Sequence, residues 1–175
     1  MVATLLVVCL VSGLALAGVH ATTAPIVAEQ EAKALQEGLA KVLPGSAQFE
    51  PIPVPEGFPQ VKGVWKSDKG WVVEAAPSGY GGAIRMLLGV TPEGTVTRLE
   101  ILNAAGETPG LGSKITERPW LSQFDGAKLT VPLVKGKQPA GGEVQAITGA
   151  TISSRAVVDG VNQALEAVKR LQNGR

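Results

Sequence analysis

Apolar residues fill the start of the chain. Residues 1–28 contain no Asp, Glu, Lys or Arg, and the polar side chains of residues 1–19 are Thr4 and Ser12. An α-helix rises 1.5 Å per residue, so about 20 residues cross the roughly 30 Å hydrocarbon layer of a bilayer. We therefore predict a transmembrane anchor over residues 1–24, followed by one domain over residues 25–175. A cleaved signal peptide is the alternative, although the run is long for one and lacks a basic start.

The apolar positions then follow a helical period. Between Val27 and Leu43 they recur on one face, while charged residues occupy the other. We predict a helix that continues from the anchor and ends at Pro44-Gly45. Four prolines between Phe49 and Pro59 predict an extended connector after it.

Short apolar runs separated by turns rich in Gly and Pro occupy the middle of the chain, which predicts strands. Two of these runs flank Thr91-Pro92-Glu93-Gly94 and are predicted to form a hairpin. We expect a short helix at Trp120–Phe124 and a long helix from Ser153 to about Leu171. The predicted strands are Val61–Lys66, Gly70–Ala75, Gly82–Val90, Thr95–Leu102, Leu129–Val134 and Val144–Ile147. This order favours an α+β fold with helices packed on a mostly antiparallel sheet.

The composition excludes several kinds of site. The 175 residues carry a net charge of +1 and include one cysteine, Cys9, and one histidine, His20. Iron–sulfur clusters, structural zinc sites, Cys-x-x-Cys redox pairs and internal disulfides all need more ligands than these. The sequence has no basic stripe of the kind that would indicate nucleic-acid binding. We expect no metal site and no catalytic residues, and redox chemistry in this chain would depend on an organic cofactor.

The run Ile147–Ser154 carries the most specific chemical signal. Small and hydroxylated residues end an apolar run there and open the long C-terminal helix. The first turn of a helix has unpaired N–H groups and a positive end, and together these bind phosphate. An ordinary helix cap is the alternative on local pattern alone. The predicted phosphate site consists of Thr148, Gly149, Ala150, Thr151, Ser153 and Ser154.

A second motif, Glu107-Thr108-Pro109-Gly110-Leu111-Gly112, falls in a predicted loop at residues 105–113. Its proline–glycine pair predicts a turn, and its glycines let the backbone approach a flat ligand closely. Its carboxylate and hydroxyl can hydrogen-bond ring groups, and its leucine can cover an aromatic face. The run Ser78–Gly82 predicts another tight turn; a surface turn or a packing lid is the alternative for these segments. The candidate contacts are Glu107, Thr108, Leu111, Gly112, Lys114 and Tyr80.

The anchor, the Gly-Tyr-Gly-Gly run, the Glu-Thr-Pro-Gly-Leu-Gly loop and Thr148-Gly149-Ala150-Thr151 resemble the FMN-binding domains of Rnf and Na+-translocating quinone reductase complexes. The resemblance covers nearly the whole chain and is greatest to Rnf G subunits. It implies FMN attached to Thr151 through a phosphoester by a Mg-dependent flavin transferase, which takes FMN from FAD. It also implies that the loop at 107–112 lies beside the isoalloxazine ring. Gln145 stands where the transferase pattern usually has Asp.

The same resemblance implies an electron-relay role. The chain would be a subunit of a membrane-bound, ion-translocating ferredoxin:NAD+ oxidoreductase without a complete catalytic site of its own. It would cross the cytoplasmic (inner) membrane once, with its domain on the extracytoplasmic (periplasmic) side. Its expected partners are the other Rnf subunits, including a polytopic subunit with a second covalent FMN. The alternatives are the C subunit of Na+-translocating NADH:quinone reductase, an extracellular flavin reductase, and an anchored module that binds a phosphate ligand noncovalently without a redox role.

Overall fold

The computed structural model describes residues 1–128 and 130–174. It contains two compact units, Met1–Gln36 and Glu37–Arg175. The first unit consists of most of helix α1, Val2–Val42, which continues through Pro25. The large apolar side chains near its start are exposed. By length and composition α1 can cross a membrane, and a signal sequence at an N-terminus satisfies the same criteria.

A five-stranded antiparallel sheet in the order β1-β2-β3-β4-β5 forms the centre of the second unit. The predicted α+β fold with a mostly antiparallel sheet is confirmed, and β4 and β5 form the predicted hairpin. Strands β3 and β4 are buried along almost their whole length. The strands are β1 Glu50–Ile52, β2 Val61–Ser67, β3 Gly70–Ala75, β4 Arg85–Val90 and β5 Val96–Asn103.

Strand β1 lies within the segment that the prolines predicted to be an extended connector. Pro51 stands opposite Trp65 of β2, and β1 is the edge of the sheet. An edge strand tolerates proline because one side of its backbone needs no partner. Strand β4 begins at Arg85 rather than at the predicted Gly82, since the Gly82 carbonyl accepts the Gly79 N–H at 2.7 Å in a preceding turn.

Helix α3, Thr151–Asn173, packs on the sheet, mainly against β3. It begins two residues before the predicted start, and its apolar stripe is buried as predicted. Helix α2, Arg118–Leu121, continues into a 3₁₀ turn at Ser122–Phe124, in place of the single short helix predicted. A second 3₁₀ turn, Gly112–Thr116, begins inside the predicted loop. The buried stripe of α3 includes Ala156, Val157, Val161, Ala164, Leu165 and Val168.

Strands β6, Leu133–Val134, and β7, Val144–Gln145, form a short parallel pair. Both are shorter than predicted, and Leu129 of the predicted strand lies outside the described residues. The segment before β6 is held on α3 by Asn162, whose amide oxygen accepts the Val131 N–H at 2.7 Å. The Asn162 amide also donates to the Val131 carbonyl at 3.1 Å. Val131 is buried, so the pairing of its backbone groups depends on this side chain.

We expect Asn162→Ala to lower the free energy of unfolding by about 1–3 kcal/mol, because it removes the partner of two buried backbone groups. Gln172→Ala is the control: the Gln172 amide donates to the Pro92 carbonyl at an exposed position, so its loss should cost less than about 0.5 kcal/mol. Urea unfolding of the full chain in detergent measures both. Equal effects would contradict the role assigned to Asn162.

Candidate functional site

A cavity of about 340 Å³ lies where three separate segments of the second unit meet. One segment is the turn before β4, another is the loop after β5, and the third is the start of α3. The two motifs singled out from the sequence therefore come together with the Gly-Tyr-Gly-Gly turn. The lining residues are Tyr80, Thr108, Leu111, Gly112, Gly149, Ala150, Thr151, Ile152 and Ser153.

The turn that leads into α3 has a defined geometry. Gly149 has a φ of +82°, a conformation that favours glycine. The Ala150 N–H donates to the Ile147 carbonyl at 3.0 Å. Ser154 is fully buried; its hydroxyl accepts the Ile147 N–H at 3.0 Å and donates to the Ala150 carbonyl at 2.9 Å. Ser154 thus fixes the turn from behind rather than lining the cavity.

Helix α3 opens at the cavity with Thr151 as its first residue. The preceding residue, Ala150, supplies no side-chain cap, and the first turn contains no acidic residue. The first N–H groups of a helix have no partner within it, and the helix end carries a partial positive charge. Thr151 is half-buried and lies at this end of the helix, where it lines the cavity. The arrangement therefore fits a phosphate group.

A buried carboxylate, that of Glu107, joins the three segments. Glu107 is 4% exposed, and its Oε1 accepts the Tyr80 N–H at 2.8 Å. Its Oε2 accepts a short hydrogen bond from the Ser153 hydroxyl. The structure thus directs both oxygens of Glu107 toward the protein. Glu107 was suggested as a ring contact from its motif alone, and that motif does not include Tyr80 and Ser153, its partners in the fold.

The glycines around this carboxylate are required by close packing. A Cβ at Gly79 would lie 2.1 Å from Glu107 Oε1, and one at Gly112 would lie 2.7 Å from Glu107 Oε2. A Cβ at Gly81 would lie 1.9 Å from the Gly106 carbonyl oxygen. These contacts are below any normal carbon–oxygen separation, so a side chain at these positions would push the segments apart.

Exposed apolar side chains surround the mouth of the cavity. Leu111 is 38% exposed, Ile152 57% and Tyr80 68%. An aromatic ring system in the cavity would cover part of this apolar surface, and burying apolar surface is favourable by about 25 cal/mol per Å². The cavity therefore offers polar N–H groups at one point and apolar side chains around it, which fits a flavin nucleotide such as FMN.

The structure places the twelve predicted site residues in three groups. Most line the cavity, whereas Glu107 and Ser154 are buried behind it, and Thr148 and Lys114 are exposed outside the set that lines it. Ile152 lines the cavity and was not predicted. Its signal in the sequence is an apolar residue out of phase with the buried stripe of α3.

Two side chains hold the backbone of β7, the strand that precedes this turn. The Trp120 indole N–H donates to the Gln145 carbonyl at 2.8 Å, and the Gln145 N–H donates to Gln123 Oε1 at 2.8 Å. The Gln145 backbone is therefore held in β7, while the residue itself is exposed. Trp120 is a packing residue here, in an edge-to-face contact with Phe124.

Comparisons with known proteins agree on one family. The FMN-binding domain family matches residues 79–166, which contain all the lining residues of the cavity. The chain is 32% identical to the G subunit of a proton-translocating ferredoxin:NAD+ oxidoreductase complex from Clostridium ljungdahlii, over 98% of this chain and 91% of that protein. It is 35% identical to the G subunit of a Na+-translocating ferredoxin:NAD+ oxidoreductase complex from Acetobacterium woodii, over 95% and 89% of the two chains.

A solved structure is also similar. NqrC from Shewanella oneidensis matches with a TM-score of 0.54 and 28% sequence identity. That match covers 62% of this chain and 55% of the NqrC chain, so it extends over little more than half of the solved structure. The family match, the two relatives matched over most of their length and the geometry of the cavity agree, and the chain belongs to the FMN-binding domain family.

Proposed function

We propose that this chain is the G-type electron-relay subunit of an ion-translocating ferredoxin:NAD+ oxidoreductase (Rnf) complex, with FMN bound covalently to Thr151. The observation that carries the proposal is the position of Thr151. It is the first residue of an uncapped helix, and it borders a cavity that also contains the 107–112 loop. Two relatives that match almost the whole chain are G subunits of such complexes.

Attachment to Thr151 requires an external catalyst. A threonine hydroxyl is a weak nucleophile unless a base activates it, and among the described residues no basic side chain hydrogen-bonds the Thr151 hydroxyl. A flavin transferase would supply that base. In the balanced reaction, Thr151 Oγ1 forms a bond to the phosphorus of the flavin half of FAD. The phosphoanhydride bond breaks, AMP leaves, and the hydroxyl proton passes to the transferase.

The residues of this chain would then hold the bound group in place. The N–H groups at the start of α3 would bind phosphate oxygens, and Leu111, Ile152 and Tyr80 would cover the apolar ring. When bound, FMN would supply reversible electron uptake and release. A covalent link keeps the carrier on the protein in every redox state, as a relay requires.

Helix α1 supports a membrane location. It is apolar and long enough to cross a bilayer, and we propose that it anchors residues 25–175 on the extracytoplasmic side. The partners would be the other Rnf subunits, including the polytopic subunit that carries a second covalent FMN, together with the transferase. The pumped ion differs between the two relatives, which are named for protons and for Na+.

The C subunit of Na+-translocating NADH:quinone reductase is a second candidate, favoured by the structural similarity to NqrC. The two roles differ in the proteins with which the chain assembles. Purification of the tagged chain from its native membrane, with identification of the associated subunits, separates them. Subunits of a ferredoxin:NAD+ oxidoreductase support our proposal, and subunits of a quinone reductase support the alternative.

We expect Thr151→Ala to abolish flavin fluorescence in a denaturing gel after co-expression with a flavin transferase, because the attacking oxygen is missing. Thr151→Ser retains a hydroxyl and should be labelled at a reduced rate. Thr130→Ala, an exposed threonine outside the set that lines the cavity, should be labelled like the unmodified chain. Gel-stable flavin on Thr151→Ala would disprove the assignment.

We expect Glu107→Ala to lower the free energy of unfolding by about 1–3 kcal/mol, since the Tyr80 N–H and the Ser153 hydroxyl lose their buried acceptor. Glu107→Gln can accept from Tyr80 and donate to Ser153, so it should be less destabilising. Urea unfolding measures both.

Glu107→Gln also removes a buried negative charge beside the flavin site. We expect the flavin midpoint potential to rise, because reduction adds negative charge and the nearby carboxylate opposes it. Glu117→Gln is the control, since Glu117 is exposed and lies outside the cavity lining. Spectroelectrochemical titration of the loaded protein gives the potentials. Equal potentials in all three proteins would show that the Glu107 charge does not act on the flavin.

A further inference from the structure

A second cavity, of about 370 Å³, also borders Thr151. Thr151 and Ile152 line both cavities, so the residue proposed to carry the flavin borders each of them. The second cavity, here called the basic groove, differs from the first because it contains charged residues. It is lined by Ser78, Lys135, Thr151, Ile152, Arg155, Ala156 and Asp159.

The two cations of the basic groove come from different segments. Lys135 follows β6, and Arg155 lies in the second turn of α3, which β6 contacts. Among the described residues, neither cation has an ion-pair or hydrogen-bond partner, whereas Arg85, Arg98 and Arg118 all pair with carboxylates. The groove thus places two unpaired positive charges beside a hydroxyl proposed to become a phosphoester.

Asp159 is the one acidic residue among the side chains that line the basic groove. The formal charge of the groove is therefore two positive charges less one negative charge, or +1. A phosphodiester carries a single negative charge at every physiological pH. The groove charge is opposite in sign to that of a phosphate esterified to Thr151, so the two attract each other.

We propose that Lys135 and Arg155 bind the non-bridging phosphate oxygens of the flavin nucleotide held at Thr151. This inference rests on the proposed function and assigns the residues that recognise the phosphate. In this arrangement the first cavity receives the ring system and the basic groove receives the phosphate charge. Selectivity for FMN over riboflavin, which lacks the phosphate, would then depend on these two cations.

The test separates phosphate recognition from covalent attachment. The full chain with Thr151→Ala cannot form the ester, so its equilibrium affinities for FMN and for riboflavin can be measured in detergent by flavin fluorescence. The same measurements are made after adding Lys135→Gln and Arg155→Gln, which remove both charges and keep a polar side chain at each position.

Lys128→Gln with Lys169→Gln in the Thr151→Ala chain is the matched control, since it removes two positive charges from a different cavity. Lys169 lies 18 residues along α3 from Thr151, which is about 27 Å at 1.5 Å per residue.

We expect Thr151→Ala to bind FMN more tightly than riboflavin. Loss of both groove cations should weaken FMN binding roughly 3- to 10-fold, as exposed ion pairs of this kind contribute, and leave riboflavin binding unchanged. The control pair should preserve the preference, and added salt should reduce it. The inference is overturned if FMN binds no more tightly than riboflavin, which includes the absence of measurable binding of either, or if the groove and control variants weaken FMN binding equally.

Co-expression with the transferase distinguishes this inference from the proposed function. If the unmodified chain gains no covalent FMN but the Thr151→Ala chain shows the groove-dependent preference, covalent attachment is wrong and the phosphate site stands. If the unmodified chain gains FMN and the preference is independent of both cations, the proposed function stands and the groove assignment is wrong.

Discussion

The buried carboxylate of Glu107 is the contact on which the geometry of the site depends. It joins the Tyr80 backbone, 27 residues earlier in the chain, to the Ser153 side chain, 46 residues later. Leaving a buried carboxylate without partners would cost several kcal/mol, so the two hydrogen bonds and the three segments are mutually dependent. The glycines packed against Glu107 allow this approach, and they explain why the turn before β4 and the loop after β5 are glycine-rich.

The position of Thr151 follows from the packing of α3 on the sheet. Val157 and Val161 are fully buried, and a Cβ at Gly160 would lie 2.3 Å from the Met86 Cε, so the helix is held close to β4. Ser153 and Ser154 fix its first turn by hydrogen bonds. The uncapped helix end is therefore presented by a rigid core, which suits a site that must bind a cofactor in one orientation.

Local patterns predicted much of this arrangement. The small and hydroxylated residues at 148–154 predicted a helix start, and the paired β4 and β5 followed from their apolar runs and turn. The contact of Glu107 with Ser153 could not be predicted, because it depends on tertiary packing between residues 46 positions apart. Strand β1 was missed because prolines disfavour strands except at an edge, and the sequence alone did not identify the edge. Ile152 was missed because the sequence alone does not show that the side of α3 away from the buried stripe borders a cavity.

Tandem mass spectrometry of peptides from the flavin-loaded chain tests the central claim most directly. The account predicts that the peptide containing Thr151 gains the mass of one FMN less one water, and that fragment ions place the addition on Thr151 rather than on Thr148, Ser153 or Ser154. A loaded protein whose flavin is bound to another residue, or is released completely by denaturation, would contradict the account.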